Sequence, residues 1–303
     1  MVHRLISICL LFFLCGASVT SQTSLLPLQV EVRGEGKTEL VLIGCGGCDW
    51  RSWEPFMERN RKRYKMHAVT LPGRGGMPSL PVPKDATGTP LLDKYGALIA
   101  SYIQDRRLKN VTIIGHSVGA TVTLKTALNH PGIAEKIFLV DWGAIHPVVL
   151  GLSEKERLAR AQQQRARVFA MTDQEFHARW PQMVSEEFSD PARAAVYLDM
   201  FRKMDRINSA QGSYEMNFHD LRDRLREITI PIGAVFGIPK GESEKKRRKE
   251  AGEVFRGANN LQLVFFEETR HWVMEDRPEE FDRLIADFIT GRKLRGFTTI
   301  RKM

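Results

Sequence analysis

The chain has 303 residues, 43% of them apolar, with 45 lysines and arginines against 36 aspartates and glutamates, for a formal net charge of +9. That length and apolar content support a sizeable buried core, and the lack of a fixed-period repeat or low-complexity run excludes a repeat or disordered protein. The basic excess sits in EKKRRKE (Glu244 to Glu250) and in the tail from Gly291 to Met303, with no interleaved stacking aromatics; it reads as a solvated helix face and a tail, and no nucleic-acid partner is expected.

The first segment, MVHRLISICLLFFLCGASVTSQTS, has a basic start, an apolar stretch from Leu5 to Leu14 and then small residues. That is the three-part pattern of a secretory signal peptide, assigned to residues 1–21 with cleavage after Ala17 or Ser21. Its apolar stretch is short for a membrane span, which needs about 20 residues. Secretion or export to a periplasm is therefore expected, with an uncleaved anchor as the alternative. Removal of the leader takes Cys9 and Cys15 with it and leaves Cys45 and Cys48 in an oxidising compartment, where a disulfide is allowed.

Beyond the leader, strand and helix patterns alternate. LPLQVEV (Leu26 to Val32) alternates like an edge strand, and TELVLIG (Thr38 to Gly44) is a continuous apolar run like a buried one. VLIGCGGCDW follows, with a CxxC spacing open to three readings: a redox dithiol, half of a metal site, or a tight backbone turn. A structural zinc site wants four Cys or His ligands, and no second CxxC or HxxxH exists, so no metal or cofactor is expected.

YKMHAVTLPG (Tyr64 to Gly73) is a third strand, and Thr89 to Leu108 is a helix with Pro90 in its first turn. NVTIIG (Asn110 to Gly115) is another buried strand, followed by a helix through ATVTLKTALNH and by the strand KIFLVD, which ends at Asp141. Strand, helix and strand in this order mean crossover units and a mostly parallel sheet.

From about Leu152 to Arg226 the sequence turns helical, with Ser153 to Glu156 and Thr172 to Glu175 spaced as capping boxes. Sheet order resumes with IPIGAVFG (Ile230 to Gly237), a helix through Ala251 to Phe255, the strand LQLVFFEE, and a last helix, PEEFDRLIADFI (Pro278 to Ile289). The expected organisation is a core of residues 22–145 and 228–291, a helical lid of residues 146–227, and a basic tail of residues 292–303. Aromatic and methionine side chains of the lid serve mainly its own core and its contact with the sheet, and some are expected to line an apolar substrate pocket.

The chemistry shows in IIGHSVGA. Ser117 lies between Gly115 and Gly119, directly after a buried strand and directly before a helix. The G-x-S-x-G spacing fits a turn so sharp that side chains at the glycines would clash, leaving the hydroxyl exposed above the sheet edge. The Val118 amide then points toward a developing oxyanion. Among eight histidines, His271 is the expected base, because its loop lies between a strand and the final helix on the same sheet edge as Ser117. His116 reads as structural and His67 as a core or sheet-face residue.

From Leu26 to Ile289 the chain resembles the α/β-hydrolase family. The likeness rests on the loop GCGGCDW, the turn LPGRGG (Leu71 to Gly76), the elbow GHSVG and the stretch RHWVMEDRPEEF (Arg270 to Phe281). It implies an α/β-hydrolase fold and a serine hydrolase that cleaves an ester, thioester, lactone or amide of a small to medium apolar substrate. It also implies that the loop supplies a second oxyanion donor at Gly46, and that His271 is the catalytic histidine. Trp53 matches the family's tryptophan after this loop. The acid departs from the pattern, since GIPKGES puts Lys240 where the family's aspartate stands. Asp141, at a strand's carboxyl end, is the expected acid and Glu242 the alternative. A C–C hydrolase or perhydrolase of the same fold, or a non-catalytic ligand-binding protein, are the competing readings.

Overall fold

The computed structural model describes residues 28–83 and 90–294. The expected leader and the tail from residue 295 onward lie outside the described residues.

Seven strands form one sheet in the order β1-β3-β2-β4-β5-β6-β7. β1 (Gln29–Arg33) pairs antiparallel with β3 (Tyr64–Thr70) at the edge that its alternating sequence predicts. β2 (Thr38–Ile43), β4 (Thr112–His116), β5 (Lys136–Val140), β6 (Ile232–Ile238) and β7 (Leu261–Glu267) continue the sheet in parallel. The continuous apolar runs are explained by burial on both faces. Val41 and Ile43 of β2, with Ile137 and Leu139 of β5, enter one core. Leu40 and Leu42, with Phe138 and Val140, enter the other.

Helices α2 (Leu91–Asp105) and α3 (Val118–Asn129) cover the first face. α1 (Glu54–Asn60) and a late helix over Pro278–Ile289 cover the second, where Trp53, Phe56 and Phe281 pack edge to face. α1 was not anticipated. It is a seven-residue helix opened by Pro55, too short for its period to stand out. Pro90 stands one place outside α2 rather than in its first turn.

Between β5 and β6 run α4 (Glu154–Ala170), α5 (Asp173–His177), α6 (Trp180–Glu187), α7 (Pro191–Arg202) and α8 (Arg206–Phe218). α4 and α5 each open on a complete capping box, at Ser153/Glu156 and Thr172/Glu175. This insertion is welded to the sheet units at two places. Val184, Phe188, Tyr197, Met200 and Phe201 share a core with Trp53 and Trp272, and the buried Glu215 carboxylate of α8 accepts from Leu91 N and Leu92 N at 2.6 and 2.9 Å. Glu215 thereby caps α2, whose own N-terminal side chains offer no cap. α9 (Glu244–Val254) begins with the EKKRRKE run, earlier than expected, because Ser243 caps it through Lys246 N. α10 (Val273–Asp276) and α11 (Pro278–Ile289) close the chain. Among the described residues, no helix is long and apolar enough to cross a membrane.

Strand order reverses around β2: β3 lies on one side of it and β4 on the other. In open α/β sheets such a reversal leaves a crevice beyond the carboxyl ends of the strands. The loops after β2 and β4 meet there.

Candidate active site

Ser117 follows β4 and caps α3 at φ 56° and ψ −121°, a strained conformation for a residue with a Cβ. The turn is enforced by its neighbours. A Cβ on Gly115 would run into Gly119 O, and one on Gly119 would run into Ile43 O and Gly44 O, so the helix start presses against the end of β2. Ser117 N donates to Val140 O at 3.0 Å, which fixes the serine beside the end of β5. Its hydroxyl makes no hydrogen bond among the described residues.

One residue further along β5, Asp141 sits 5% exposed at φ 48°, its N–H held by Val235 O at 2.8 Å. Its Oδ2 accepts from His271 Nδ1 at 2.7 Å. A carboxylate only accepts, so Nδ1 carries the proton and the Nε2 lone pair is free to act as a base. Asp141 Oδ1 accepts from Gly237 N at 3.0 Å and from Arg247 at 3.1 Å. Glu242, the alternative acid, is exposed in the turn after β6, and its carboxylate makes no hydrogen bond or ion pair among the described residues. The structure joins Asp141, and not Glu242, to His271.

Arg247 is the exception in the basic run, most of whose charges lie on an exposed face as expected. Its guanidinium reaches from α9 to Asp141 and to Gly237 O at 3.0 Å, and only 18% of its side chain is exposed. The signal was present in the spacing: Arg247, Ala251 and Val254 fall at i, i+4 and i+7 on the buried stripe of α9.

His116 is fully buried, and its Nε2–H donates to His271 O at 2.9 Å, with the two rings 4.6 Å apart. Burial and the neighbouring His271 hold it far below the usual histidine range, so it stays neutral and pins the His271 loop. His67 is also buried, between Glu39 and Tyr102 on the far strand, away from this chemistry. His146, after β5, is brought down to about 4 by burial and by the charges of Arg160 and His271. Its Nδ1 accepts from Val148 N, so Nε2 carries the proton.

The loop after β2 faces the elbow. A Cβ on Gly46 would lie 2.9 Å from Val118 Cγ2, and neither the Gly46 nor the Val118 amide donates to another described residue. Cys45 and Cys48 form a disulfide across this turn, with Cα atoms 4.9 Å apart and Cys48 N donating to Cys45 O. Of the three readings of CGGC, the structure therefore holds an oxidised dithiol inside a tight turn. From above, α7 presses on the loop: a Cβ on Gly47 would meet the Phe201 ring, and Asp49 N donates to Met200 Sδ at 3.4 Å. No three His, Cys, Asp or Glu side chains among the described residues converge as a metal site would require.

A family model for the alpha/beta hydrolase family matches residues 40–284. The chain belongs to that family. This alpha/beta hydrolase is 24% identical over 270 residues to the pimeloyl-(acyl-carrier protein) methyl ester esterase of Yersinia enterocolitica, across 84% of this chain and 94% of the relative. Among solved structures it is similar to a hydrolase from Pseudomonas aeruginosa, with a TM-score of 0.67 at 19% identity over 87% of this chain and 94% of that one. It is also similar to the enol-lactonase from Burkholderia xenovorans, with a TM-score of 0.66 at 18% identity over 87% of this chain and 96% of that one.

Proposed function

We propose that this alpha/beta hydrolase cleaves carboxylic esters of small to medium apolar acids or alcohols through an acyl-enzyme on Ser117. The observation that carries the reading is the 2.7 Å bond from His271 Nδ1 to Asp141, a carboxylate one residue past the backbone oxygen that holds Ser117. Attack by Ser117 Oγ forms the bond to the carbonyl carbon, its proton passes to His271 Nε2, and the carbonyl electrons move onto oxygen. The Gly46 and Val118 amides are the donors for that oxyanion. Collapse expels the alkoxide, which takes the proton back from His271. Water then repeats the sequence, freeing the acid and Ser117. Lactones are cyclic esters and fall within the same chemistry, in line with the likeness to an enol-lactonase.

The Asp141–His271 bond weighs against the competing reading of a non-catalytic binding protein. Export remains part of the proposal, supported by the leader pattern and by a disulfide, which persists in oxidising compartments. The test is labelling with a fluorophosphonate probe. Wild type is expected to label on one serine and Ser117→Ala not at all; folded wild type that stays unlabelled overturns the proposal.

A further inference from the structure

Glu187, the last residue of α6, is held near the His271 loop by its neighbours. Glu186 O accepts from Arg270 Nη1 at 3.3 Å, and Ser189 Oγ accepts from Arg270 Nη2 at 3.1 Å. The Phe188 ring packs 4.9 Å from that of Trp272. The segment 186–189 is thus fastened to both residues that flank His271. Glu187 itself makes no hydrogen bond or ion pair among the described residues, and its Oε2 is buried without a partner.

Among the described residues, no cation pairs with it directly. Arg270, the nearby cation, is committed to Asp276, with Nη2 at 2.8 Å from Oδ1 and the Arg270 amide at 2.7 Å from Oδ2. The fastening of residues 186–189 to Arg270 and Trp272 brings Glu187 near enough to His271 for their charges to interact, and burial raises its pKa. A carboxylate whose Oε2 is buried without a hydrogen-bond partner is a ready acceptor for a cation supplied from outside.

We propose that Glu187 is a specificity-determining residue: it selects esters whose alcohol portion carries an ammonium group and turns away those that carry a carboxylate there. The alcohol side follows from the chemistry, because His271 returns its proton to the leaving alkoxide and so faces that half of the ester. This inference rests on the serine hydrolase reading.

The test compares three esters of one short acyl chain: a 2-(trimethylammonio)ethyl ester, its neutral 3,3-dimethylbutyl isostere, and a 2-carboxyethyl ester. For wild type, kcat/KM is expected to fall in that order, with the cationic ester ahead of its isostere by about tenfold. In E187Q, which keeps the shape of the side chain, the ratio of cationic to neutral ester collapses to within about twofold of unity. Hydrolysis by wild type without charge preference, or a preference that survives E187Q, overturns the inference and leaves the hydrolase reading standing. Wild type that hydrolyses none of the three and takes no fluorophosphonate overturns both.

Discussion

Asp141 accepts three hydrogen bonds on two oxygens, from His271, the Gly237 amide and Arg247. Under the proposed mechanism only the first takes part in the chemistry, and the other two fix the carboxylate so that the first stays aligned. Asp141→Asn is expected to lower kcat by about 10⁴, because an amide no longer secures the proton on Nδ1. Arg247→Gln loses a charge-assisted bond worth roughly 1.5–3 kcal/mol. It is expected to lower kcat by about tenfold or more with KM little changed, and Arg247→Lys to recover part of it. Steady-state rates on a p-nitrophenyl ester, with circular dichroism to confirm folding, check both; an Arg247→Gln enzyme with wild-type kcat removes the positioning role. The elbow was legible because it is local: strand, glycine, serine, glycine and helix follow one another directly. The carboxylate that pairs with His271 was named as Asp141 ahead of Glu242 only from its place at a strand's carboxyl end, because the pairing spans 130 residues of chain and Lys240 stands where the local pattern would have marked it.

At the scale of elements, the turn after β2 is held three ways: by its disulfide, by the α3 start against Gly46, and by α7 against Gly47. The disulfide encloses the proposed donor Gly46. Cys45→Ala/Cys48→Ala is therefore expected to cost more in kcat than in KM, by up to the roughly 10²-fold associated with a lost oxyanion donor, and to lower stability by about 2 kcal/mol. Kinetics and urea unfolding of the double variant measure both, and a variant with wild-type kcat shows that the bridge does nothing for the donor. The helices of the insertion were readable from their caps, as Ser153/Glu156 and Thr172/Glu175 form the predicted boxes. What those helices touch was not readable. Phe201 and Met200 look like any apolar residues of an amphipathic helix, and their contacts with Gly47 and Asp49 lie about 150 residues away in sequence.

Across the whole molecule, burial lowers the pKa of four histidines, His67 among them. His116, His146 and His219 bind protons more weakly in the native state than in the unfolded chain, chiefly through burial, with the last two at about 4. As pH falls from roughly 6.5 toward 4, the unfolded chain takes up protons that the native state refuses, so stability is lost with falling pH. His219 and His146 each account for up to about 2–3 kcal/mol of that loss. His219→Gln, remote from Ser117, is expected to flatten the dependence of unfolding free energy on pH between 7 and 5. Urea titrations at several pH values check this, and an unchanged slope refutes it. The sheet itself was the most legible level, because β2, β4 and β5 are apolar on both faces and so announce a parallel sheet buried between helices. The seating of α7 on the glycine turn carries a last consequence. If Gly46 and Val118 are the donors proposed above, a substrate that pushed α7 off the turn would also remove the brace behind Gly46. On that proposal bulk is rejected without a wall built for the purpose: an oversized ester would meet Ser117, but its tetrahedral intermediate would go unsupported.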